Sequence, residues 1–176
     1  MSAAFFSKVT KWLFPADAME VALSELRLDG ARSTEGIALW LGHRNSGIAS
    51  VTHMVYLRGS GLLKTEYHIR VNQDLFNEVT DSAMNLGKTL IGQIHSHPSA
   101  AGVEMSYSDI SGTPQVPYYL SIVVPDLAMR AQTGLADCGV HVFDPKRGFR
   151  RLSSRLVRQR IKFADGEHIQ RITMGF

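Results

Sequence analysis

Apolar positions along the chain switch between the period of a strand and that of a helix, and the switches mark out its elements. Val9 to Phe14 predicts a short strand, after which Pro15 opens an amphipathic helix with a stripe through Met19, Leu23 and Leu26, stopped at Gly30. The nearly continuous apolar run EGIALWLG, Glu35 to Gly42, predicts a strand covered on both faces. A turn at Asn45-Ser46-Gly47 then leads into a second strand, about Ile48 to Tyr56, as a hairpin. The stretch LRGSGLLKT reads as a loop before a short strand at Tyr67 to Val71. Asn72 or Asp74 can cap a helix running to about Leu86, with Gly87 as its stop. Thr89 to His95 predicts another buried strand, followed by a loop opening at Pro98 and a short helix from Ser106 to Ile110. Strands at Tyr118 to Val124 and Gly139 to Phe143 come next, with a further one at Gly148 to Leu152.

Strands interleaved with helices predict an α/β fold: a single mixed β-sheet flanked by helices. No repeat, low-complexity tract or linker divides the 176 residues, so they read as one domain, residues 1–176, with 44% hydrophobic residues to fill its core. No apolar run approaches the ~20 residues of a membrane-spanning helix, and MSAAFFSKVTKW lacks the apolar stretch of a secretory leader. The expectation is a soluble, cytoplasmic protein with no membrane partner. The single cysteine, Cys138, cannot form an internal disulfide, which suits a reducing compartment.

Charge changes the picture at the C-terminal end. Residues 146–162 carry 8 of the 19 Lys+Arg and none of the 16 Asp+Glu, so the rest of the chain is formally −5 beneath a total of +3. Leu152, Leu156, Val157 and Ile161 keep roughly helical spacing there. The favoured reading is a terminal helix docked by its apolar stripe with a solvated basic face. The lesser one is a docking surface for an acidic partner or nucleic acid.

The candidate chemistry lies in IHSHP and SYSD. Residues two apart on a strand share a face, so the imidazoles of His95 and His97 can reach one ion. Asp109 supplies a third ligand and leaves an open fourth position, the usual catalytic zinc arrangement. Ser106 and Asp109 also fit a helix start, with Ser106 as N-cap and Asp109 reaching back from the third position; the two roles are compatible. His43, His53, His68, His141 and His168 receive no role. A closed structural zinc site would need a fourth protein ligand, and no Cys lies near the motif; Cys138 reads as a buried apolar residue. The zinc nucleobase deaminases need a P-C-x-x-C segment that a one-cysteine chain cannot supply.

Glu35, then HSHP at 95–98 and SYSD at 106–109, resembles the signature of the JAMM or MPN-plus zinc metalloproteases, also called JAB domains. The order of elements over about residues 9–145 is similar to that family's as well; the basic element 146–176 is not covered. One departure is visible: eight residues, Pro98 to Met105, separate His97 from Ser106 where seven are usual, an insertion that a loop tolerates. The resemblance implies the MPN/JAB (cytidine-deaminase-like) architecture and one catalytic zinc held by His95, His97 and Asp109. It also implies Glu35 as general base and Ser106 as hydrogen-bond donor to the oxyanion.

The activity so implied is hydrolysis of a peptide or isopeptide bond after the C-terminus of a ubiquitin-like protein, in deconjugation or precursor processing. The connections 57–65 and ISGTPQVP are short, which is similar to compact bacterial or archaeal members. Some of those are encoded with E1- and E2-like proteins, including in antiphage defence systems, and these are the implied partners. Two alternatives stand beside it. One is a JAB peptidase that trims a sulfur-carrier protein or a small-molecule amide; the other is a non-catalytic scaffold or nucleic-acid-associated module using the arginine-rich end.

Overall fold

The computed structural model describes residues 8–175; the reading of residues 1–7 as no part of a leader lies outside these. The chain runs β1 (Lys11–Pro15), α1 (Ala18–Gly30), β2 (Ile37–Asn45), β3 (Ile48–Leu57), β4 (Leu62–Lys64), β5 (Ile69–Val71), α2 (Gln73–Asn85) and β6 (Thr89–Ser96). It continues through α3 (Tyr107–Gly112), β7 (Leu120–Val124), β8 (Gly139–Asp144), β9 (Gly148–Arg151), α4 (Ser154–Arg160), β10 (Ile161–Ala164) and β11 (Gln170–Met174). This is an α/β architecture on a mixed nine-stranded sheet, ordered β10-β1-β3-β2-β6-β7-β8-β9, with β11 also paired to β3. A separate ribbon, β4-β5, stands beside it.

The β2-β3 hairpin forms as its sequence predicts. Ser46 and Gly47 both have positive φ, 49° and 81°, the conformation that a two-residue turn needs to match the twist of its strands. In α2, the side chain of Asn72 accepts the Leu75 N–H at 2.9 Å, and Leu75, Val79 and Ala83 bury one face. Asn72→Ala is expected to cost about 1 kcal/mol, read as a lowered thermal midpoint without change in metal content.

Strand alternation divides the sheet's side chains between two cores. One face packs Trp12, Phe14, Trp40, Met54, Ile94 and Ile122 with α1; the other packs Leu39, Leu41, Val55 and Leu57 with α2. Both faces of β2 are therefore buried, as its unbroken apolar run anticipates.

The basic end departs from the expected terminal helix. Only Ser154–Arg160 is helical; the chain then turns back into strands, β10 parallel to β1 and β11 parallel to β3. Leu152 and Val157 do dock on the core, but Ile161 belongs to a strand, where its register with Trp12 buries it. Ile161, Ile169 and Met174 all contribute to the cores, so this part of the chain completes the sheet. No helix among the described residues is long and apolar enough to cross a membrane.

Candidate metal centre

The centre forms where β2 and β6 run out at the same end of the sheet. The strands are antiparallel with Ile37 opposite His95, so Glu35 and His97, two residues beyond on each side, emerge on one face. The residue between the histidines holds this junction. The Ser96 hydroxyl accepts the Gly36 N–H at 2.9 Å, and the Ser96 N–H donates to the Gly36 carbonyl at 3.0 Å. Glu35 is pinned from its other side, its N–H donating to the Thr65 carbonyl at 2.8 Å. The ribbon that carries Thr65 is itself tied to α1 by a buried pair, Lys64 to Asp29 at 2.8 Å, with the Tyr56 hydroxyl donating to the same carboxylate.

Asp109 arrives on α3. Ser106 is the N-cap: its hydroxyl accepts the Asp109 N–H at 3.1 Å, while Asp109 Oδ2 accepts the Ser106 N–H at 2.6 Å. The same Oδ2 lies 3.0 Å from His97 Nε2, and Oδ1 lies 3.6 Å from His95 Nε2. Helix start and metal-ligand set thus coexist in one turn. The two Nε2 atoms are 3.1 Å apart. Ligand atoms 2.0–2.1 Å from one centre at tetrahedral angles are about 3.3 Å apart; the Nε2–Nε2 and His97–Oδ2 separations are close to that, and one ligand atom from each residue lies within 4.8 Å of the others, so the group could hold a single small cation.

The donor set makes the same point chemically. His97 Nδ1 faces the Gly102 carbonyl at 3.2 Å, which only an N–H can satisfy, so in a neutral ring the Nε2 lone pair confronts the Asp109 carboxylate. Two acceptors at that distance need a cation or a proton between them. Accordingly, burial opposes a charge on His97, but the hydrogen bond and charge of Asp109 outweigh it and raise its pKa. Burial lowers that of His95. Asp109 is held well below the usual carboxylate range: burial works against this, and its bonds to His95 and His97 win. Glu35 is only 3% exposed. Burial pushes its pKa up to about 7, with His97 opposing and Asp109 adding to the shift.

All five residues singled out from the sequence are therefore at or beside this junction. His95, His97 and Asp109 form one group able to hold a metal ion. Glu35 is electrostatically coupled to two of them, and Ser106 caps the helix that carries Asp109, its hydroxyl 3.0 Å from that of Ser108.

The supporting residues were not singled out beforehand. Gln93 lies against Nδ1 of His95 at 3.5 Å, donates to Thr113 Oγ1 at 3.1 Å and accepts from the Tyr119 hydroxyl at 3.2 Å. Its position two residues before His95, on the same strand face, is the signal that could have found it. The loop after His97 is tied down through Glu104, which bonds Arg151 and lies 3.4 Å from His141 Nε2. A Cβ at Gly139 would stand 1.9 Å from the Val103 carbonyl oxygen in that loop. Gly139→Ala is expected to displace the loop and with it the Gly102 carbonyl that orients His97. A loss of about 1–3 kcal/mol in thermal stability and a weaker hold on metal under chelator competition would report it.

Beside the metal group lies a cleft of about 350 Å³ lined by Ile37, Ile69, Val71, His95, Ser108 and Asp109 among others. Strand β5 forms one wall, and among the described residues it pairs with β4 on one edge and with no strand on the other.

No protein-family model and no curated protein matches the sequence. Among solved structures, 144 chains match. One is the solution structure of protein DSY2949 from Desulfitobacterium hafniense, similar at a TM-score of 0.63 and 18% identity over 90% of this chain and 94% of that one. At that identity the likeness shows a shared fold.

Proposed function

We propose that the chain is a zinc-dependent metallo(iso)peptidase of the JAMM or MPN-plus (JAB) type, with the architecture of that family. Its substrates would be peptide or isopeptide bonds that follow the C-terminus of a ubiquitin-like protein. The observation that carries this reading is a His-His-Asp group whose ligand atoms lie within 4.8 Å of one another, with the buried carboxyl of Glu35, its pKa pushed up to about 7, beside it.

His95, His97 and Asp109 would hold the ion, which when bound supplies a Lewis acid and lowers the pKa of water to about 7. Glu35, its pKa about 7 through burial, accepts the water proton and returns it to the departing amine. The Ser106 hydroxyl oxygen accepts the Asp109 N–H, and its proton would turn from the Ser108 hydroxyl, 3.0 Å away, to an oxyanion. Thr65 holds the Glu35 backbone and Ser96 that of Gly36 beside it, so both act as positioning residues that keep the base aimed. An extended tail laid along the free edge of β5 would pair its backbone and reach the metal group through the cleft. Small residues before the scissile bond suit a cleft of this size.

A bacterial ubiquitin-like conjugation or antiphage system is the proposed setting, in the cytoplasm with E1- and E2-like proteins as neighbours. A panel of ubiquitin-like proteins bearing C-terminal extensions tests the reading. Cleavage after the modifier's C-terminus that stops with chelator and with Glu35→Gln supports it, and intact substrates across the panel would refute it. The modest cleft volume also favours a second reading, a peptidase acting on short amides or a sulfur-carrier tail. Turnover of a short synthetic peptide lacking any folded modifier distinguishes that one.

A further inference from the structure

The proposed reaction makes no use of the basic segment, which sits where the sheet is left open. Strands β9 and β10 are the two ends of the main sheet path, each paired on one side only among the described residues, and α4 links them. Between them is a groove of about 470 Å³. Leu135, Leu152, Val157 and Phe163 line it with apolar surface, and Arg151 and Arg158 stand at its rim. Phe163 is 40% exposed, unusual for a phenylalanine on a strand.

The charged residues that line the groove, Arg151 and Arg158, are both cationic, and the acids nearby, Glu104 and Asp137, are already paired with Arg151 and Arg130. Lys146, Arg147, Arg150, Arg155, Arg158 and Lys162 are all exposed, and no Asp or Glu falls within 146–162. Among the described residues, Arg151 pairs with Glu104 and Arg130 with nearby Asp137, while the arginines at 147, 150, 155 and 158 have no ion pair. A lysine on an edge strand serves to discourage edge-to-edge pairing, and Lys162 alone would do that. Arg158 on the lining, with Arg150 and Arg155 on the β9 and α4 elements that frame the apolar floor, goes further, since like charges without partners stabilise nothing in the free protein.

We propose that this groove docks an acidic peptide segment of a partner protein, anchored by one or two apolar side chains. The chemistry separates this occupant from nucleic acid. A phosphodiester strand needs cations along a track and an aromatic face for each of several bases, and the lining offers a single aromatic ring, Phe163, among aliphatic side chains. An acidic segment with apolar anchors satisfies both the floor and the rim.

The test uses the full chain and fluorescence anisotropy. The probes are a labelled peptide of roughly 12 residues alternating Glu or Asp with Leu and Phe, its counterpart with Lys for every acid, and a single-stranded thymidine oligonucleotide. The acidic peptide should bind, with affinity falling as salt rises, and the lysine counterpart should not. Arg158→Glu should weaken binding by about tenfold or more. Ala136→Trp, which fills the groove from an exposed position, should remove it. Both variants should keep the parent's metal content and thermal midpoint. Absence of peptide binding, binding that ignores both variants, or binding of the oligonucleotide in preference to the peptide would overturn the proposal.

Discussion

Glu35→Gln is expected to lose most turnover, keep its metal, and make the metal-free protein more stable at alkaline pH. The loss follows from removing Glu35, which among the described residues combines burial, electrostatic interaction with His97 and Asp109, and a pKa of about 7. General acid–base assistance of this kind contributes roughly 10²–10⁴-fold. The gain follows from proton linkage. A carboxyl whose pKa rises on folding, here from 4.5 to about 7, binds its proton more tightly in the native state. Its favourable contribution is complete below 4.5 and is lost as pH rises through 7. The amide never charges, so the variant should exceed the parent by on the order of 1–3 kcal/mol at pH 8, with no gap near pH 4. Thermal melts of chelated protein at both pH values, with mass-spectrometric metal content and peptide turnover, measure all three. A fully active variant, or one less stable than the parent at pH 8, would sink the assignment.

Replacing a ligand should reverse that pattern. For His95→Ala, His97→Ala and Asp109→Ala the metal itself should be lost, by more than the roughly 10–100-fold that removal of a supporting residue costs. Asp109→Asn is the sharper variant. Its amide oxygen can still accept the Ser106 N–H and preserve the helix start, so a loss of metal isolates the charge from the cap. Affinity of the parent should rise with pH, because Asp109 raises the His97 pKa and a metal must displace that proton. Undiminished metal in all four variants, assayed by chelator competition, would remove the ligand set.

The histidine pair was legible because strand geometry turns a two-residue spacing into a shared face, and Asp109 because its cap and its ligand role need the same short helix. Glu35 was not legible from periodicity. A glutamate at the mouth of an apolar strand is ordinarily solvated, and only the antiparallel register of Ile37 with His95 brings it beside His97. Strand β4 was hidden in LRGSGLLKT because three residues directly after Gly61 carry no measurable period. Strands β10 and β11 were hidden for another reason: Leu152, Val157 and Ile161 satisfy helical spacing, but pairing with β1 and β3 outweighs that local preference over the final turn. Gln93 and Ser96 went unremarked since neither residue type announces a supporting role, which depends on neighbours delivered by the fold.

Pairing of β11 with β3 has a kinetic consequence. Trp12 faces Ala49 and Gln170 faces His53, so the outer rail of β3 is assembled from segments far apart in the chain, 11–13 and 170–174. Such contacts raise contact order and slow folding. Until they form during synthesis, the uncovered backbone of β3 is a template for misassociation with other nascent copies.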